Sequence, residues 1–277
     1  MAGRSSAERE FDFTDHDFTR VRKLIYQVAG ISLSDSKHEM VYSRLARRLR
    51  MTGISSFEHY LDKLENEAGA DEWEAFTNAL TTNLTSFFRE HHHFPILAEH
   101  MRKVEKPISI WCCASSTGEE PYSLAITACE VFGSLRPPVE IVATDIDTNV
   151  LTAAAAGIYN HDRIEKLTME QKKKFFLRGK GRQEGLVRVR DDLRKLITFK
   201  PLNLLGDSWP VNGQFDAIFC RNVMIYFDKP TQATILKRFV PLMKPDGLLF
   251  AGHSENFLYA TNAFRLLGKT VYALNQS

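Results

Sequence analysis

The stretch "SIWCCASSTGEEPYSLA", Ser109 to Ala125, decides how the chain is read. An apolar run enters a turn of small residues, "ASSTG", and the turn opens into a helix. That is how many nucleotide sites begin, with the backbone free to approach a ligand closely. Thr117 is placed to cap the helix, and Glu120 three residues later would complete a capping box. Yet Glu119 and Glu120 put two carboxylates where a phosphate would sit. A phosphate about 4 Å from one of them would be repelled by roughly 4 kcal/mol at an effective dielectric of 20. That is about a thousandfold in affinity. The turn therefore disfavours a pyrophosphate and suits a nucleoside that carries positive charge in its place.

Downstream, short apolar runs alternate with helical segments. "ISIWCCA", "EIVATDI", "LITFKPLN", "FDAIFCRN", "GLLFAGHS" and "TVYALNQ" read as strands. Glu119–Phe132, Thr148–Ala156 and Thr231–Met243 read as helices between them. The alternation predicts a parallel sheet with helices on both faces, and ligands in such sheets bind at the carboxyl ends of the strands. In "VATDID", Asp145 and Asp147 lie two apart at a strand end and share a face. A carboxylate there can grip ribose hydroxyls, although an Asp before a helix can also be its cap. Together with the paired glutamates this points to S-adenosylmethionine, whose methionine end carries an ammonium and a sulfonium against one carboxylate.

Upstream, residues 1–80 show helical periodicity and no good strand. "DHDFTRVRKLIYQVAG", "SKHEMVYSRLARRLRM", "SFEHYLDKLENE" and "ADEWEAFTNAL" predict a small four-helix domain. Residues 81–95 are expected to link it to the α/β domain, 96–277, and to contribute to the site. Residues 157–195 are too long for a simple crossover. Their basic helix "TMEQKKKFFLRG" and the hairpin-like "EGLVRVRDDL" predict an inserted β-subdomain. The triple histidine, His91–His93, tempts a metal reading, but consecutive helical residues point about 100° apart. Surface polarity is expected there, and no metal.

Composition narrows the class. Of 277 residues, 44% are hydrophobic and 25% charged, as in an ordinary globular protein, and the formal charge of +2 excludes a uniformly basic one. No apolar run approaches the roughly 18 residues of a membrane span, and "MAGRSSAERE" has no apolar core of a leader. Cys112, Cys113, Cys129 and Cys220 make no C-x-x-C pair. A cytoplasmic protein is expected.

The blocks "LTTNLTSFFREHHHFP", "ASSTGEEPYSLA", "ATDID", "PLNLL", "FDAIFCRNVMIYFD" and "MKPDGLLFAGHSEN" occur in that order. In them the chain resembles, over nearly its whole length, the bacterial chemoreceptor glutamate O-methyltransferases of the CheR type. It departs from the general Gly-x-Gly methyltransferase fingerprint, with only Gly118 in the first turn. The resemblance implies a Rossmann-like S-adenosylmethionine-dependent methyltransferase domain with a small inserted β-subdomain, preceded by an all-α domain. It implies methyl transfer to receptor glutamates, with S-adenosylhomocysteine as product. It places Asn83, Thr85 and Arg89 at the cofactor, Glu120 on the methionine ammonium and Asp145 on the ribose. Asn203 and Leu204 would flank the adenine, and Cys220, Arg221 and Asn222 the methionine side. Arg89 and Tyr226 would stand near the reacting methyl.

The expected partner is the acidic helical cytoplasmic region of a chemoreceptor, in membrane-bound receptor arrays. On the helix Lys37–Met51, Val41, Tyr42, Leu45 and Leu49 share one arc, while Arg44, Arg47 and Arg48 belong to a basic face that could steer such a partner. Arg188 and Arg190 of the insert would project from one face of an exposed strand and meet a receptor's C-terminal peptide. A monomer is expected, with no membrane insertion and no nucleic acid. Other readings are a methyltransferase acting on RNA or a small molecule, and a non-catalytic receptor-binding scaffold.

Overall fold

Four helices occupy the first part of the chain: α1 (Asp15–Ala29), α2 (His38–Thr52), α3 (Phe57–Asn66) and α4 (Ala70–Leu80). The structure is a computed structural model and describes residues 9–275, so most of the N-terminal stretch read above for a leader lies outside the described residues. The chain divides into two units, 1–82 and 83–277. In the first, the capping box of Thr14 and Asp17 starts α1, and Gly30, at φ 67°, ends it. Val21, Ile25, Val41, Leu45, Leu49, Leu61 and Phe76 are fully buried, so the helical periodicity reflects a real core.

The basic face of α2 is not the free array expected. Arg44 donates to the carbonyls of Leu80 (3.0 Å) and Thr81 (2.5 Å), satisfying the open end of α4. Arg48 grips Glu72 with Nε and Nη2, at 2.8 and 2.5 Å, and Tyr60 donates to the same carboxylate. Arg47 alone of the three is exposed without a partner among the described residues.

The second unit carries α5 (His93–Lys103), β1 (Ile108–Cys112), α6 (Glu119–Phe132), β2 (Val139–Asp145) and α7 (Thr148–Ala156). An insert follows: β3 (Ile158–Asn160), α8 (Met169–Phe175), β4 (Phe176–Arg178), β5 (Leu186–Val189) and α9 (Asp191–Arg194). The core resumes with β6 (Ile197–Pro201), β7 (Phe215–Cys220), α10 (Lys229–Phe239), β8 (Met243–Ala251), β9 (Phe264–Gly268) and β10 (Val271–Leu274). The segment 81–95 read as a linker is thus divided, since from Asn83 it belongs to this unit.

The large sheet runs β6-β2-β1-β7-β8-β10-β9. Five strands are parallel, but β10 and β9 join antiparallel, so the sheet is mixed rather than parallel throughout. β1 and β7 lie side by side where the strand order reverses, the crevice at which α/β sheets bind ligands. Both strands are buried on both faces. Ile110, Cys112, Ala217 and Phe219 face one apolar cluster, and Trp111, Cys113, Ile218 and Cys220 face the other.

In the insert the sheet order is β3-β5-β4, so β5 is the central strand with both edges paired. The exposed edge expected on "EGLVRVRDDL" is absent, and the open edges belong to β3 and β4. β5 ends at Val189, so Arg190 lies beyond it as the cap of α9, and Arg188 pairs with Asp191 at 3.0 Å. The basic helix is also shorter than read, because Phe176–Arg178 turns into β4. Among the described residues no helix is long and apolar enough to cross a membrane.

Candidate active site

The turn after β1 is built around Gly118, the N-cap of α6, with φ 97°. A Cβ there would lie 2.8 Å from the Tyr159 hydroxyl and 2.9 Å from Ala154 Cβ, so both the backbone angle and the space demand glycine. This displaces the expected capping box. Thr117 sits one residue too early, and its hydroxyl instead donates to Glu119 at 2.6 Å. Nor do the two glutamates stand as free negative charges. Glu119 is buried against Arg163 of the insert, whose Nη2 also donates to the Thr85 carbonyl at 2.8 Å. Glu120 accepts from Arg221 Nε at 2.6 Å and from the Cys112 thiol at 3.2 Å. The thiol is pushed well above its usual range by burial and by that carboxylate.

Arg221 is the hub of the network. Its Nη1 donates to the Arg89 carbonyl at 2.9 Å and to His93 Nδ1 at 3.0 Å, and lies 3.9 Å from Glu90 Oε2. With Nδ1 accepting, His93 carries its proton on Nε2 and donates it to the Lys269 carbonyl at 2.8 Å. Burial lowers its pKa to about 4, so the ring is neutral at neutral pH. His93 is thus fully buried and not the surface polarity expected of the triple histidine. Ligand atoms of Glu90, His92 and His93 lie within 4.8 Å of one another. Both nitrogens of His93 are already spent, however, which suits a hydrogen-bond network rather than a cation.

Burial would raise Glu90, but the His253 N–H, the Asn222 amide and the charge of Arg221 outweigh it and hold the carboxyl below its usual range. Glu90, Glu120 and Arg221 therefore bring two carboxylates against one guanidinium. The residual negative charge suits a ligand whose end is cationic, which retains the sign of the sequence argument at reduced strength.

Asp145, at the end of β2, accepts from Ser116 N–H at 2.8 Å and from Asp147 N–H at 3.0 Å, one bond to each oxygen. It has no cationic partner among the described residues, and burial pushes it up to about 6. The N–H of Ile146 also lies against this carboxylate, which keeps capacity for a further hydroxyl donor. Nearby, Ser115 Oγ is buried without a partner. These open groups fit the ribose of S-adenosylmethionine. Asp147 takes the other role foreseen for it, capping α7 through Asn149 and Val150 N–H. It also accepts from Asn83 Nδ2 at 2.8 Å.

Other expected residues gather at the same strand ends. Leu202 N–H donates to the Asp145 carbonyl at 2.9 Å, which brings Asn203 and Leu204 beside β2. Cys220 ends β7, and Asn222 follows with φ 59°. Arg89 uses one N–H, to Leu84 O at 2.9 Å, and its others have no partner among the described residues. The Tyr226 hydroxyl likewise has none, and its residue ends a short 3-10 turn.

Sequence reasoning missed four residues: Glu90, His93, Arg163 and Glu255. Glu255 is buried and accepts from the N–H groups of Gly252 (2.5 Å), Asn222 (2.8 Å) and Ile225 (3.3 Å). Burial still raises its pKa despite those bonds. It ties the exit of β8 to the loop after β7. The quoted blocks "FFREHHHFP" and "AGHSEN" contain three of the four, but nothing in their spacing gave the roles.

Comparison with known proteins identifies the family. Residues 83–273 match the CheR methyltransferase, SAM binding domain, and residues 16–81 the CheR methyltransferase, all-alpha domain. A chemotaxis protein methyltransferase of Escherichia coli K12 is 55% identical over 263 residues, covering 95% of this chain and 92% of its own. One from Klebsiella aerogenes is 57% identical over 263 residues, covering 95% and 91%. Chemotaxis protein methyltransferase 2 of Pseudomonas aeruginosa PAO1 is 53% identical over 268 residues, covering 96% and 95%. With an all-α unit before a Rossmann-like sheet, and a carboxylate-lined crevice at that sheet's switch point, the chain belongs to the CheR methyltransferase family and is an S-adenosylmethionine-dependent methyltransferase.

Proposed function

We propose that the chain methylates glutamate side chains in the helical cytoplasmic region of chemoreceptors, yielding glutamyl methyl esters and S-adenosylhomocysteine. What supports this reading most is one observation: the Arg89 guanidinium and the Tyr226 hydroxyl, on segments joined through Arg221 and Asn222, have donors without partners among the described residues. A carboxylate at the reacting atom needs such donors, and a neutral nucleobase or small molecule does not.

When bound, S-adenosylmethionine supplies a methyl group already activated by its sulfonium. A glutamate has an ordinary pKa near ~4.3, so at neutral pH the substrate is ionised and the chain need supply no base. Its task is alignment with water excluded. Arg89 holds the substrate carboxylate in its planar fork, and Tyr226 fixes it by a donated hydrogen bond. Asp145 takes the ribose, and Glu120, with Arg221 behind it, meets the methionine ammonium. Asn203 and Leu204 flank the adenine. Asn83, Thr85, Cys220 and Asn222 close the walls.

The protein works in the cytoplasm as a monomer at membrane-bound receptor arrays, with Arg47 on the helical unit available for steering. The insert is a second docking site, for a receptor's C-terminal tail. Because β5 is central, a tail strand would add to the β3 or β4 edge rather than to the strand that bears Arg188.

The test is transfer of labelled methyl from S-adenosylmethionine to receptor-containing membranes, followed by mild base. Label released as methanol, and at least a hundredfold slower transfer by Arg89→Ala at saturating cofactor, is expected. Base-stable label, or label in RNA, would overturn the assignment. Absence of transfer with intact receptor binding would leave the scaffold reading.

A further inference from the structure

We propose that Glu90 is the positioning residue that sets Arg89 against Tyr226. The inference deepens the function above and rests on its assignment of those two side chains. Phe88 and Glu90 both have φ 53°, so two non-glycine residues in left-handed backbone straddle Arg89. Such conformations persist only where surrounding contacts over-determine them. On one side the contacts are known: Phe88 N–H donates to Ser123 Oγ at 2.9 Å, and the Arg89 carbonyl is held by Arg221.

Glu90 supplies the rest. Its Oε1 accepts from Asn222 Nδ2 and from His253 N–H, each at 3.1 Å. Asn222 is itself left-handed and opens the loop that carries Tyr226. His253 lies in the turn after β8. One carboxylate oxygen therefore bridges the Arg89 segment to the loops leaving two neighbouring strands. The approach is tight: a Cβ on Gly252 would lie 2.4 Å from Asn222 Nδ2 and 2.7 Å from Glu255 Oε2. Glu255 secures the far side of the same loop. The other oxygen of Glu90 is buried without a hydrogen bond. It contributes charge toward Arg221, 3.9 Å away. The two donors proposed to hold the substrate come from segments more than a hundred residues apart in sequence, and Glu90 fixes their separation.

The experiment compares Glu90→Ala, Glu90→Gln and Asn222→Gly, which keeps the left-handed backbone but loses the amide. Each is assayed for turnover, receptor KM and cofactor Kd, and by hydrogen exchange of the cofactor-free chain. Glu90→Ala should lower kcat about a hundredfold, the scale of a 1 Å misplacement. KM and Kd should stay within about threefold. Exchange should rise together in residues 86–91 and 222–226. Glu90→Gln keeps the accepting oxygen and should recover most of kcat. Asn222→Gly should reproduce the alanine variant in kcat at saturating cofactor and in exchange, its Kd being set apart because the residue lines the cofactor wall, and decides the matter if that one fails to fold. In an Arg89→Ala background, Glu90→Ala should cost less than about threefold more. Wild-type kcat in Glu90→Ala, a fully additive double mutant, or unchanged exchange at 222–226 overturns the inference. Wild-type turnover in Arg89→Ala alone removes the function assigned to Arg89, and the exchange result then decides by itself whether Glu90 joins the segments.

Discussion

Asp145 and His93 titrate across the same pH window in opposite senses. Burial raises Asp145 from 3.8 to about 6 and lowers His93 from 6.5 to about 4. Between roughly pH 4 and 6 the folded chain keeps a proton on Asp145 that the unfolded chain has released. That contribution weakens as pH rises. Over the same range the unfolded chain protonates His93 while the folded chain refuses, so that contribution strengthens as pH rises. Each slope reaches at most about 1.4 kcal/mol per pH unit, and the two oppose each other. Relative to wild type, Asp145→Asn should therefore gain stability as pH rises from 4 to 6, and His93→Gln should lose it. Melting temperatures across that range check both signs, and two profiles parallel to wild type would refute the pair. Asp145→Asn should also weaken cofactor binding by about 1.5–3 kcal/mol, the value of a hydrogen bond to a charged group, as read by calorimetry at pH 7.5. Asp145 was legible because a carboxylate at the end of a second strand has a positional meaning. The partners of Glu119 and Glu120 were not, because Arg163 and Arg221 lie 44 and 101 residues away and no local pattern announces them.

At the scale of elements, α2 shows how a charged face misleads. Periodicity found its buried stripe, but could not tell which of its arginines were already committed. Arg44 satisfies carbonyls at the end of α4, and Arg48 is a bidentate partner with side-chain exposure of 22%, against 21% for Glu72. Arg44→Ala and Arg48→Ala should each cost the helical unit about 1–2 kcal/mol, seen as a lower melting temperature, with little change in receptor KM. Arg47→Ala should do the reverse, raising KM severalfold at low salt and not at high salt. Equal effects from all three would return the face to uniform steering. β9 went unread for a related reason. "FRLLG" is short, and its adjacent Leu266 and Leu267 are both exposed, so no alternation marks it as a strand. α5 was hidden by the polar, histidine-rich sequence around its start, although Phe94, Leu97 and Met101 bury one helical face.

Across the whole molecule, charge is unevenly placed. Residues 157–195 hold twelve Lys or Arg and six Asp or Glu, an excess of six cations, against 36 and 34 for the entire chain. The positive field therefore belongs to the insert, and the remainder of the chain is net acidic. Acidic C-terminal receptor peptides should bind the intact protein with an affinity that falls steeply with salt. Charged substitutions on the β4 edge, such as Leu177→Glu, should abolish that binding while cofactor affinity is kept. Titration calorimetry at two salt concentrations tests this, and a peptide that binds Leu177→Glu as well as wild type would exclude the edge. The α/β alternation was legible at this scale because each strand–helix repeat carries its own period. The antiparallel ending was not, since strand direction depends on connections that sequence period does not encode.

The bond from His93 to the Lys269 carbonyl spans 176 positions along the chain. Synthesis runs in one direction, so a growing chain can fold its helical unit and pair β1 with β2 long before Lys269 leaves the ribosome. Until then His93 has no acceptor for its Nε2 proton, Arg221 has no fixed imidazole behind it, and Glu120 lacks a settled partner. A nascent chain would hold a half-built crevice open to water, with its imidazole free to take up a proton. Docking of the β9–β10 hairpin is therefore what supplies the acceptor for His93 and completes the network behind Glu120.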